Sequence, residues 1–123
     1  MVANSSESWQ IQVAGSGLIV CRFVGPTPLD ELSAFITALE DIMPAANARL
    51  VFDLRELGGY NSDTKAPMKA WLLEHKLAIR ELTVLVPKSS TILKVVVAAI
   101  ALATGMKLKI REDLDEAASL SSP

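Results

Sequence analysis

Apolar and polar residues alternate from Trp9 to Val13, with Trp9, Ile11 and Val13 separated by Gln10 and Gln12. A period of two places the three apolar side chains on one face of a strand. Ala14-Gly15-Ser16-Gly17 is a turn signal and Leu18 to Val24 a second apolar run, so the two segments are predicted to pair as an antiparallel hairpin. Gly25-Pro26 breaks the second strand. Thr27-Pro28-Leu29-Asp30 then offers an N-cap, a proline at the first helical position and an acid near the positive helix end. Leu32, Phe35, Ile36 and Leu39 fall at i, i+3, i+4 and i+7, one stripe of a helix facing a sheet, and Pro44 stops it.

Arg49 to Leu54 reads as a short strand in which Leu50, Val51 and Phe52 run together instead of alternating, the mark of a strand covered on both faces. Arg55 to Thr64 reads as a polar, glycine-containing loop. The next helix carries Met68, Trp71 and Leu72 on one stripe; with Thr64 as its cap Pro67 falls in the first turn and costs no bond, whereas with Ser62 as the cap it breaks one. Leu82 to Val86 is another strand, and Leu50, Val51, Phe52, Leu82, Val84 and Val86 are the predicted sheet core. Ser90 or Thr91 opens a strongly apolar helix that ends at Gly105, and Lys107 to Ile110 is a short strand. Asp113-Leu114-Asp115-Glu116 is a capping-box-like start for a last helix to about Ser119.

The order β-β-α-β-α-β-α-β-α predicts an α/β fold: a single-layer, mixed, mostly parallel five-stranded sheet with an N-terminal β-hairpin and about four helices. At 123 residues there is room for one core, so residues 9–120 form one domain, with a flexible N-terminus over 1–8 and a flexible tail over 121–123.

With half of the residues hydrophobic and 21% charged, the chain has enough apolar material to fold alone. A net charge of -2, without a basic block, argues against nucleic acid as a partner. The most apolar stretch, Val95 to Ala103, is nine residues long, short of the roughly 20 that cross a bilayer, so no membrane span is expected. The single cysteine, Cys21, has no disulfide partner, and the opening MVANSSES has neither a charged nor an apolar leader pattern. A cytoplasmic setting is the expectation.

No catalytic set assembles from the residue types present. His75 is the only histidine and sits three residues after Leu72 on a helix, so neither a metal set nor a cofactor is expected. Gly58-Gly59 lacks the Gly-Lys-Ser/Thr ending of a phosphate loop. Cys21, inside a strand, reads as a small buried hydrophobe. Asp53 sits where α/β sheets place ligand crevices, at the carboxyl end of a central strand. It reads either as an acceptor for loop backbone N–H groups or as a ligand-binding carboxylate.

The element order and the segment Val51-Phe52-Asp53-Leu54, followed eight residues after Asp53 by Asn61-Ser62, resemble the STAS (anti-sigma-factor-antagonist-like) domain. In that family the strand ends in Asp-Leu and an Asp-Ser pair opens the next helix, where a kinase phosphorylates the Ser to switch partner binding. The matching positions are Asp53, Leu54, Asn61 and Ser62, so the resemblance implies Ser62 as a phosphoacceptor. It also implies a partner-binding loop containing Asp53, Arg55, Tyr60, Asn61, Ser62 and Asp63. Tyr60 and the Trp71-Leu72 helix are similar to the SpoIIAA-like, STAS/SEC14-type proteins. The chain departs from the signalling pattern at Asn61, at Asp63-Thr64 and at Pro67, and Asp63 would repel a phosphate on Ser62.

The apolar helix has two apolar faces. Leu93, Val97, Ile100 and Ala101 mark one, and Val95, Ala99 and Leu102 the other. A helix apolar all round is covered on both sides, here by the chain's own ends, by a second copy in a homodimer or by another protein. The expected function is a non-enzymatic, STAS-like binding or regulatory module acting through a protein partner or homodimer. The alternative is a SEC14-like carrier of a small apolar or lipid-like ligand, which requires an internal cavity.

Overall fold

The computed structural model describes residues 2–6, 8–14, 17–44, 46–57, 62–106 and 108–112, and of residues 2–4 and 62 only the backbone. The elements are β1 (Val2–Ser5), β2 (Trp9–Val13), β3 (Ile19–Gly25), α1 (Leu29–Ile42), β4 (Ala48–Leu57), a 3-10 turn (Ser62–Thr64), α2 (Lys65–His75), β5 (Ile79–Leu85), α3 (Thr91–Thr104) and β6 (Leu108–Arg111). Strands β2 to β6 make the mixed, mostly parallel sheet that the pattern predicts, with the β2–β3 hairpin antiparallel and β3–β4, β4–β5 and β5–β6 parallel.

The expectation of five strands is corrected to six. β1 pairs antiparallel with β2, so part of the stretch expected to be flexible, residues 1–8, is an edge strand. An edge strand needs hydrogen bonds from one neighbour only, which a small, polar sequence can supply. Three α-helices are described where about four were expected; the fourth, from Asp113 to about Ser119, and the tail 121–123 lie outside the described residues.

Spatial order follows chain order, β1 to β6. Each parallel step then takes a right-handed crossover in the same direction, which puts α1, α2 and α3 on one face of the sheet. Alternation along the strands sorts the core accordingly. Toward the helices point Ile11, Cys21, Phe23, Leu50, Phe52, Leu82 and Val84, packed against Leu32, Phe35 and Leu39 of α1, Trp71 and Leu72 of α2, and Leu93 and Val97 of α3. Phe35, fully buried, is the hub: its ring lies edge-on to Trp9, Phe23 and Phe52 at centroid distances of 5.8, 4.8 and 6.0 Å. Such edge-on contacts add to the area the rings bury. All six predicted core residues of β4 and the β5 segment are buried. On the other face Leu18, Val51 and Leu85 form a small separate cluster with Val20, so the central strand is covered on both sides as its unbroken apolar run implies.

Boundaries differ from expectation at β5, which begins at Ile79 instead of Leu82 and ends at Leu85, and at β4 and α1. β4 runs on through Arg55, Glu56 and Leu57, because Glu56 and Leu57 find partners in Val24 and Gly25 of β3. The first three residues of the segment read as loop are therefore strand. At α1 the cap position belongs to Pro28, whose carbonyl accepts the Leu32 N–H at 2.9 Å, and no side chain caps the helix. Thr27 turns inward instead: it is buried, and its hydroxyl has no partner. α2 starts after Thr64, as Pro67 requires, and α3 is capped by Ser90, whose Oγ accepts the Leu93 N–H at 3.2 Å.

Candidate functional site

The residues singled out by sequence fall into three places. Asp53 and Arg55 lie on β4, on the face away from the helices, not in a loop. Asp53 is 2% exposed, and Arg55 grips it with Nε to Oδ1 and Nη2 to Oδ2, both at 3.0 Å, while the Arg55 backbone N–H donates to Oδ1 at 3.1 Å. Arg22, opposite on β3, adds its Nε at 3.6 Å from Oδ2 and reaches Glu56 at 3.8 Å. Burial by itself pushes the Asp53 carboxyl up; the hydrogen bonds and positive charge from Arg55, with the charge of Arg22, outweigh it and hold the group below its ordinary value. Asp53 thus accepts a backbone N–H, as expected, but within a strand. The cluster ties β4 to β3.

The loop residues Tyr60 and Asn61 lie outside the described residues, as does Gly58-Gly59. Ser62 opens the 3-10 turn, and Asp63 follows it, exposed. Asp53 and Arg55 therefore lie on a strand, and Ser62 and Asp63 in the turn ahead of α2.

The third place is α3. Leu93 and Val97 point to the sheet, with Ile100 packed against the core, while Val95, Ala99 and Leu102 are exposed, Val95 by 61% and Leu102 by 87%. Ile92, Ala98 and Ala103 share that outer side.

Sequence reasoning did not locate a cavity of about 120 Å3 between the helix face of the sheet, α2 and α3. Its walls are apolar and include Phe52 and Leu54 from β4, Met68 from α2, and Leu93, Val97 and Ile100 from α3. Three polar residues line it: Thr27, Thr64 and Lys65. The cavity was invisible in the sequence because its walls are the same residue types that fill a core. Its one signal, Thr27, reads equally well as a helix cap.

The remaining candidates are structural. The Trp71 indole N–H donates to Glu40 Oε1 at 2.9 Å, tying α2 to α1, and His75 stacks on Trp71 with Nδ1 2.9 Å from the Trp71 carbonyl. Cys21 is fully buried, and burial raises its thiol pKa far above the ordinary value, so it is not a thiolate. Among the described residues no three His, Cys, Asp or Glu side chains gather as a metal set, and no helix is long and apolar enough to cross a membrane.

The sheet is mixed, runs in chain order from an antiparallel start, and carries its helices on one face. No family model matches the sequence, and no curated protein gives a significant match. Among solved structures, an uncharacterized protein of the DUF3478 family with a SpoIIAA-like fold, from Shewanella loihica PV-4, matches with a TM-score of 0.72. The match covers 97% of this chain and 99% of that one at 14% identity. The chain has a SpoIIAA-like fold.

Proposed function

We propose that the chain is a non-enzymatic binding module of STAS type, anti-sigma-factor-antagonist-like in working through association, with a second copy of itself as the first partner. The observation that supports this is the outer side of α3. Ile92, Val95, Ala98, Ala99, Leu102 and Ala103 occupy one continuous arc of the helix, all exposed and none charged. From Ile92 to Ala103 that strip is about 17 Å long at about 1.5 Å per residue. Its alanines allow a second helix close approach, and an isologous pair about a two-fold axis needs only self-complementarity. In the same reading Ser62, just ahead of α2, is the phosphoacceptor that regulates association.

The test is Val95→Glu and Leu102→Glu, followed by mass from light scattering and a thermal melt. The expected outcome is a dimeric wild type and folded, monomeric variants. A wild type that stays monomeric at high concentration overturns the homodimer.

A second reading is favoured by the cavity. A SEC14-like binder of a small apolar ligand requires an apolar space, and the half-open space bounded by Phe52, Leu54, Met68 and Val97 supports that reading. Neither reading calls for turnover or a cofactor.

A further inference from the structure

The cavity carries more information than its apolar walls, because its polar lining among the described residues is two hydroxyls and one cation, with no carboxylate. Thr27 is about nine-tenths buried, lines the cavity, and its Oγ1 has no hydrogen-bond partner. A buried hydroxyl left unpaired is costly, and such groups in native structures call for a specific explanation. Lys65, an exposed residue of the lining, is its one charged residue among those described, and no described Asp or Glu lines it. Thr64 and Lys65 are also the start of α2, an eleven-residue helix whose cap residue makes no side-chain cap bond. The 3-10 turn runs straight into α2 and Pro67 has no N–H, so what favours an anion at this end is the helix dipole and not a row of free N–H groups.

The fold explains why these groups meet. Gly25 and Leu57 are paired at the carboxyl ends of β3 and β4, and the chain leaves the sheet from both points at the same edge. From Gly25, in the left-handed region at φ 69°, it passes through Pro26 to Thr27; from Leu57 it leads on to the turn that opens α2. That turn packs against α1, which begins two residues after Thr27. Carboxyl ends of parallel strands are where α/β sheets place their ligands.

Resting on the apolar-ligand reading above, we propose that this cavity binds a small monocarboxylic acid, its apolar body over Phe52, Leu54 and Val97 and its carboxylate toward Thr27 and the first turn of α2 at Lys65. A carboxylate accepts from the Thr27 hydroxyl in a charge-assisted bond, which a neutral ligand does not offer, and it answers a lining that among the described residues holds one cation and no anion. Size sets the body. A dry apolar cavity of about 150 Å3 takes a benzene ring, so a space of about 120 Å3 suits roughly five or six carbons with the acid group at the rim.

The experiment titrates the full chain with hexanoate, hexan-1-ol and hexylamine by calorimetry, with proton–nitrogen NMR spectra to place the site. Hexanoate is expected to bind at least about tenfold tighter than the alcohol, with the amine weakest, since a charged hydrogen bond is about twice as strong as a neutral one. Thr27→Val and Lys65→Gln are each expected to lower hexanoate affinity several-fold, with shifts in the wild type centred on the first turn of α2 and the inner side of α3. Thr27→Val is nearly isosteric and removes the unpaired hydroxyl, so its ligand-free melting point should be equal to or above that of the wild type; a loss of hexanoate affinity in it is therefore not a loss of fold. Equal binding of acid and alcohol overturns the carboxylate assignment and leaves the apolar-ligand reading standing. If none of the three binds, both fall. Binding that ignores both variants overturns the placement.

Discussion

A carboxylate in the middle of a central strand loses its hydration, and Asp53 is stable there because Arg55 occupies both of its oxygens and Arg22 stands across the strand pair. Asp53→Asn keeps the shape and removes the charge that both arginines face. A loss of about 1 to 3 kcal/mol is expected near neutral pH, the range for breaking a charged hydrogen-bonded contact. The carboxyl is held below its ordinary value in the folded state, so its contribution is fully present above the unfolded carboxylate pKa of about 3.9 and is lost as pH falls through the folded value. Urea unfolding of wild type and variant from pH 7 to pH 3 should show the gap closing only at the acid end. A gap that is constant with pH would mean that packing, not charge, holds Asp53. One position further in, Phe52→Ala should cost toward the lower part of the range of about 3 to 5 kcal/mol, because one side of the ring already borders the cavity and has fewer contacts to lose. A loss below about 1 kcal/mol by urea unfolding would contradict its place in the core.

At the scale of elements, the ends of α3 are the best-specified feature of the chain. Ser90 supplies the cap oxygen, and Gly105 takes the left-handed conformation at φ 70° that closes the helix at the other end. Ser90→Ala should therefore destabilise by about 1 kcal/mol, readable as a shift in urea midpoint with an unchanged slope. Those two ends were legible because each rests on one residue with a single local role. The start of α1 was misread because Thr27-Pro28 satisfies a cap pattern while tertiary packing turns the threonine inward. The length of β4 was misread for a related reason: Arg55-Glu56 next to Gly58-Gly59 looks like loop, yet strand polar residues are stable where they face away from the helices and find each other. β1 was missed because Val2-Ala3-Asn4-Ser5 has no alternation to read; its strand character comes from β2. The runs at Leu50 to Phe52 and Leu82 to Val86, by contrast, have no local rival to strand and are buried as read.

For the whole molecule, the two apolar regions of α3 divide its roles. The inner side closes the cavity over the sheet, and the outer side is open to a second copy. If the strip from Ile92 to Ala103 is the dimer contact, melting temperature should rise with protein concentration in the wild type and not in Leu102→Glu, because association stabilises the folded state by mass action. The helices are also cross-tied, Trp71 to Glu40 between α2 and α1 and Lys76 Nζ to the Thr104 carbonyl at 3.4 Å between α2 and α3. Occupancy of the cavity and association at α3 therefore bear on the same helix.

The sheet whose spatial order repeats its chain order has a consequence for how the protein is made. Each strand that leaves the ribosome finds its neighbour already present, the one synthesised just before it, and no strand has to wait for a later one to be slotted between. The sheet can therefore grow by addition at one edge as the chain is synthesised, with each connection closed over a turn or a single intervening helix and so at modest entropic cost. The growing edge is then always the most recent strand, shielded from other chains only when the next one arrives, and β6 is the strand described last at that edge.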